Sequence, residues 1–155
     1  MLKSENMMST INDFFIDSSI LIEYNKGNKR KLFTELLGND VFKCFVNEVV
    51  LSEFLYHFLA HNATSSPLAL KEAGKISDAF ANSDQYKLIN MCHFLPNDRQ
   101  LFSMVPGLMA KYNLLSNDAI ILATCKLHNI STLVSHDTDF IAACKGEGIT
   151  LLTEG

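Results

Sequence analysis

Leu133-Val134-Ser135-His136-Asp137-Thr138-Asp139-Phe140 reads as a short apolar strand that ends on polar residues and re-enters apolar sequence as a helix. Ser131 to Val134 is the strand, Thr138 to Cys144 the helix, and Gly146 to Leu152 a closing turn and strand. Just upstream, Asn117 to His128 carries Ala119, Ile120, Ile121, Leu122, Ala123, Cys125 and Leu127. A helix apolar almost all round is buried against more than one neighbour. At the other end, Phe14-Phe15-Ile16 is a buried first strand that hands over at Asp17. Ser18 or Ser19 is placed to cap a helix through about Tyr24, which Gly27 ends. Lys29 to Leu37 reads as a helix stopped by Gly38-Asn39-Asp40, and Val41 to Val46 as a second strand. A longer helix runs from about Asn47 to His61, with Val50, Leu51, Phe54, Leu55, Phe58 and Leu59 on its core face and a loop at Thr64-Ser65-Ser66-Pro67. Leu68 to Ala81 is expected to form one amphipathic helix and Tyr86 to Phe94 a third strand. Asp98 to Tyr112 is expected to be helical, kinked or split at Pro106-Gly107. Strands alternating with helices predict an α/β fold: a three-layer α/β/α arrangement around a central, mostly parallel sheet.

The chain has 155 residues, of which 48% are hydrophobic and 19% charged, with eleven Phe and no Trp. That suits one compact domain with a substantial core, expected over residues 13–155 behind a flexible polar leader at 1–12. The leader has neither an apolar core nor an Arg-rich amphipathic pattern, and no apolar run reaches the roughly 18 residues that span a bilayer. Cys44, Cys92, Cys125 and Cys144 are widely spaced in apolar settings, which predicts buried free thiols and a cytoplasmic location. They lack zinc-ligand spacing, and His57 and His61, at i and i+4, read as a solvated helix face. A net charge of −4 argues against gripping nucleic acid by bulk electrostatics. Lys26, Lys29, Arg30 and Lys31 form the densest basic patch, readable either as a nucleic-acid contact or as a solvated face.

Four acids punctuate this pattern: Asp17, Glu53, Asp118 and Asp137. Singly, each has a plain explanation. Asp17 and Asp137 suit helix caps, with Asp139 in the following first turn, and Asp118 opens a helix whose dipole favours a carboxylate. Glu53 lies away from the Val50, Phe54 and Phe58 stripe, so periodicity alone makes it solvent-facing. Together they carry more weight. The carboxyl ends of parallel strands share one rim, and carboxylates gathered there repel one another unless a hard cation sits between them.

In combination these segments resemble the PIN-domain ribonucleases, the fold of VapC-like toxins of toxin–antitoxin systems. The resemblance runs from Phe14 to about Leu152. It rests on Phe15-Ile16-Asp17-Ser18-Ser19-Ile20-Leu21-Ile22, on Glu53 in the helix after the second strand, on Asn117-Asp118-Ala119-Ile120-Ile121-Leu122-Ala123-Thr124, and on Leu133 to Phe140. The last two segments are its specific part. The residue after Asp17 is serine where the family often has threonine, and residues 60–114 diverge, leaving the substrate undefined. The resemblance implies that Asp17, Glu53, Asp118 and Asp137 bind one or two Mg²⁺ or Mn²⁺ ions, with Asp139 a further ligand or outer support. Ser19 and Asn117 would orient the carboxylates or the attacking water. It also implies metal-dependent hydrolysis of RNA phosphodiesters, a cognate antitoxin and a homodimer. The alternatives are a non-catalytic PIN-like module that binds RNA or protein, and a housekeeping RNA-processing nuclease. A haloacid-dehalogenase-like enzyme would need Asp-x-Asp after the first strand, where this chain has Asp17-Ser18-Ser19. A generic α/β binding domain with the acids as caps leaves the paired late segments unexplained.

Overall fold

The computed structural model describes residues 12–155, so the expected leader, apart from Asn12, lies outside the described residues. Five strands form one sheet in the order β3-β2-β1-β4-β5: β1 (Asp13–Ile16), β2 (Lys43–Val46), β3 (His93–Phe94), β4 (Thr132–Val134) and β5 (Thr150–Leu152). Every adjacent pair is parallel, with Phe15 opposite both Phe45 and Leu133, and Val134 opposite Leu152. Phe14, Phe15 and Ile16 are buried in succession, as a strand covered on both faces requires.

The helices that cover the sheet are α1 (Ser18–Asn25), α2 (Lys31–Leu37), α3 (Glu48–Asn62), α4 (Pro67–Glu72), α5 (Ile76–Asn82), α6 (Leu101–Tyr112), α7 (Ser116–Leu127) and α8 (Phe140–Glu147). α1 packs on α3 and α6 on α7, while α8 lies beside both α7 and β5. Phe15, Phe33, Phe54, Phe58 and Phe140 are the largest fully buried side chains. The three-layer α/β/α reading therefore holds. All four cysteines are free, and Cys92 alone among them is only half-buried.

Strand order matters most for function. The chain adds β2 and β3 on one side of β1, then crosses to place β4 and β5 on the other. This reversal opens a crevice at the carboxyl ends of β1 and β4, the usual ligand position in open α/β sheets. The two strand ends are tied there by Asp17 N–H donating to the Val134 carbonyl at 3.0 Å.

Three expected elements differ. Residues 68–81 form two short helices because Gly74 takes a left-handed φ of 67° between them. The expected strand from Tyr86 to Phe94 is mostly a 3-10 helix, Gln85–Met91, followed by the two-residue β3. Its apolar residues anchor on one side: Leu88 is buried, and Tyr86 stands edge-on to Phe58. Pro106 sits inside a continuous α6 without splitting it.

Two polar clusters hold the helices in register. Asn47, 1% exposed, accepts from Val50 N–H at 3.2 Å to cap α3 and donates Nδ2 to Thr124 Oγ1 on α7 at 3.2 Å. Glu147 at the end of α8 accepts from Tyr112 Oη at 2.7 Å and Lys111 Nζ at 3.2 Å on α6, and pairs with Lys126 on α7. Those bonds, led by the one from Lys126, hold the Glu147 carboxyl down to about 2.

Candidate metal centre at the carboxyl edge of the sheet

Asp17 follows the last residue of β1 and is 4% exposed. It occupies the N-cap position of α1, where its Oδ2 accepts from Ser19 N–H at 3.4 Å. The same oxygen accepts from Ser19 Oγ at 2.6 Å and from Ser135 Oγ at 2.7 Å. Both hydroxyls donate to the same carboxylate oxygen, Oδ2. Ser19 Oγ also accepts His136 N–H, and Ser135 Oγ accepts Asp137 N–H, each at 3.0 Å. Two serines thus weld the end of β1 to the turn that follows β4.

Glu53 is not simply solvent-facing, as helical periodicity suggested. It is half-buried on α3, with Oε2 accepting from Ser18 Oγ at 2.6 Å and Oε1 accepting from Asn117 Nδ2 at 2.7 Å. Its partners come from α1 and α7, so neighbours in sequence could not reveal them. Asp118 lies in the first turn of α7. Asp137 and Asp139 lie on the turn between β4 and α8, where Asp139 N–H donates to Asp137 Oδ1 at 2.9 Å. The helix begins at Phe140, not Thr138, so Asp137 closes a two-residue turn and does not cap α8; Asp139 holds the cap position without a side-chain bond.

One carboxylate oxygen from each of Asp118, Asp137 and Asp139 lies within 4.8 Å of the others. The field at Asp118 reflects the gathering. Burial first, then the charges of Asp137, Asp17, Glu53 and Asp139, push its carboxyl up to about 6. Burial also raises Asp17, against the serine bonds that lower it, and Glu53 adds a further raising charge. These residues fit a hard divalent cation. The donors are all carboxylate oxygens, and two oxygens sharing one Mg²⁺ at about 2.1 Å lie at most about 4.2 Å apart. The three carboxylates, within 4.8 Å of one another, lie close to that span. Asp17 and Glu53 stand beside this trio and not within it among the described residues.

Ser18, expected only as a possible helix cap, bonds Glu53 while Asp17 takes the cap, and Ser135 has no role in the sequence reading. Its signal was present: Ser135 is a hydroxyl at the end of an apolar strand, two residues before an acid. It is fully buried, and such a group needs a partner.

The PIN domain family profile matches residues 14–146 of this chain. Ribonuclease VapC6 from Methanocaldococcus jannaschii is 32% identical over 143 residues, covering 81% of this chain and 89% of that protein. A toxin-antitoxin complex from Klebsiella pneumoniae superposes with a TM-score of 0.53 at 18% identity, covering 82% of this chain and 89% of the other. VapBC2 from Rickettsia felis, solved bound to a DNA fragment from the promoter of the pair, gives 0.59 at 12% identity, covering 92% and 99%. Sheet order, the acids at the switch point and these likenesses agree: the chain belongs to the PIN-domain family.

Proposed function

We propose that this chain is a Mg²⁺- or Mn²⁺-dependent endoribonuclease and the toxin of a toxin–antitoxin pair. The observation that carries the reading is the convergence of Asp118, Asp137 and Asp139 at the strand-order reversal, with Asp17 and Glu53 beside them. Asp118, Asp137 and Asp139 would hold the first ion, and Asp17 and Glu53 would complete the site or take a second. When bound, the metal supplies charge stabilisation at the phosphate and acidifies the attacking water. The chain's own side chains do the rest. Ser19 and Ser135 fix Asp17 through its Oδ2, and Ser18 and Asn117 each hold one oxygen of Glu53. Asp17 and Glu53 can accept hydrogen bonds from the attacking water and orient it for in-line displacement at phosphorus, with no covalent enzyme intermediate.

RNA as substrate is supported by the ribonuclease relative, and an antitoxin by the neighbouring complex structure. A homodimer or antitoxin contact is supported by the apolar residues left exposed on α6 and before α7: Phe102 is 81% and Leu115 80% exposed. Phe102 borders a groove of about 740 Å³ with Val49, Val105, Pro106 and Ile120. Among the described residues, no helix is long and apolar enough to cross a membrane.

The test is incubation of purified protein with a mixed RNA pool in Mg²⁺, Mn²⁺ or EDTA. Fragments that form only with metal are expected. A folded, inhibitor-free protein that cuts RNA under no condition would leave a non-catalytic binding module.

A further inference from the structure

An acidic chain that binds RNA needs local cations near its carboxylates, and among the described residues the densest basic cluster is tied to the loop that carries Asp137. It is the turn between α1 and α2. Two hydrogen bonds show how the fold brings it there. His136, which precedes Asp137, contacts Thr153 Oγ1 through Nδ1 at 3.4 Å, and the next residue, Glu154, accepts Leu32 N–H through Oε2 at 2.9 Å. The chain end after β5 therefore ties the first turn of α2 to the loop that carries Asp137.

The turn's cations are not equivalent. Lys26 pairs with Glu23 at 3.2 Å and Lys31 with Glu35 at 4.0 Å. Arg30 is pinned, its Nε donating to the Tyr24 carbonyl at 2.9 Å and its guanidinium 4.7 Å from the Tyr24 ring centroid. Glu23 is further engaged by Asn28 Nδ2 at 3.2 Å. Lys29 is exposed and has no ion pair among the described residues. Its backbone takes a left-handed φ of 41°, two residues after Gly27 at 85°. A non-glycine residue in that region is uncommon and is held by its surroundings. The result is a tight turn presenting one exposed ammonium with no ion pair among the described residues, three residues before the Leu32 that Glu154 holds.

We propose that Lys29, supported by Arg30, is the contact that seats an RNA backbone phosphate beside the carboxylate crevice. This rests on the nuclease reading and names the surface through which substrate is held. A lysine serves as a point charge for phosphate and carries no sequence information, so its effect is on binding and not on the cleaved sequence.

The test compares wild type with Lys29→Gln, Lys29→Arg and, as an equal change of charge at the far end of α8, Lys145→Gln. Two readouts are needed: kcat and KM for RNA cleavage, and the salt dependence of single-stranded RNA binding in EDTA. Lys29→Gln should raise KM by about 5- to 10-fold with kcat within about twofold. It should also reduce the slope of log K against log salt by about 0.7. Lys29→Arg should restore both, and Lys145→Gln should change neither. An active wild type whose KM and salt slope are unaffected by Lys29→Gln would overturn this inference alone, as would an equal effect from Lys145→Gln. Unchanged RNA binding with lost affinity for a polyglutamate peptide would overturn it too, assigning the turn to an acidic protein partner. A wild type that cleaves no RNA in any metal strikes the nuclease reading, while the salt slope in EDTA still decides Lys29.

Discussion

Asp118 carries the cost of bringing the acids together. Burial first, and then its neighbours' charges, push its carboxyl up to about 6 in the folded chain from an ordinary 3.8. Between those values the folded state holds a proton that the unfolded state has released, so metal-free stability falls as pH rises through this window. Asp118→Asn removes the penalty. The variant in EDTA at neutral pH should melt at the same temperature as wild type or a few degrees above it, with the gap closing as pH falls below about 6. A clearly lower melting temperature by differential scanning fluorimetry would count against the clustering. Ser135 gives a second prediction. It donates to Asp17 Oδ2 and accepts from Asp137 N–H. Ser135→Ala should lower single-turnover cleavage by about 10- to 100-fold, as losing a group that orients metal ligands does. Ser135→Thr, which keeps the hydroxyl, should retain most of the rate. At this scale Asp17, Asp118, Asp137 and Asp139 were legible because each stands at a visible change from strand to turn or from turn to helix. Glu53 was legible only through the family resemblance, since hydrogen bonds from Ser18 and Asn117 hold it at the site.

The elements deliver these residues only if their registers hold. Asn47→Ala removes both the α3 cap and the bond to Thr124 and should cost about 1–3 kcal/mol in urea denaturation. The same change should weaken cleavage, because it loosens α3, which carries Glu53, against α7, which carries Asn117 and Asp118. At Gly146, an added Cβ would overlap the Tyr112 hydroxyl that bonds Glu147. Gly146→Ala should therefore lower stability by about 1–3 kcal/mol through overpacking, despite a helix-propensity gain of up to about 1 kcal/mol. Chemical denaturation of the two variants checks both figures. The legible elements were those with unambiguous patterning: β1 as a short apolar run, and α7 as a helix apolar on nearly every side. Residues 86–94 are a strand only at His93–Phe94 because Tyr86, Leu88, Ile89 and Met91 suit either a strand or a tight helical turn. Pro106 leaves α6 whole, and no tertiary contact that decides this can be read from a proline in isolation.

For the whole molecule, net charge and topology act in opposite directions. A chain at −4 gathers further negative charge at one sheet edge, so the folded protein should gain stability from a divalent ion that the unfolded chain does not bind. At about 100 times its Kd, Mn²⁺ should stabilise wild type by about 2.7 kcal/mol and leave Asp118→Asn nearly unmoved. The measurement that bears most directly on the carboxylate site is cleavage of a mixed RNA pool by wild type and Asp118→Asn, both verified as folded, in Mn²⁺ and in EDTA. Metal-dependent cutting by wild type that is abolished in Asp118→Asn is the expected result. Equal cutting by the two proteins, or cutting that survives EDTA, would contradict a metal-dependent nuclease built on these acids.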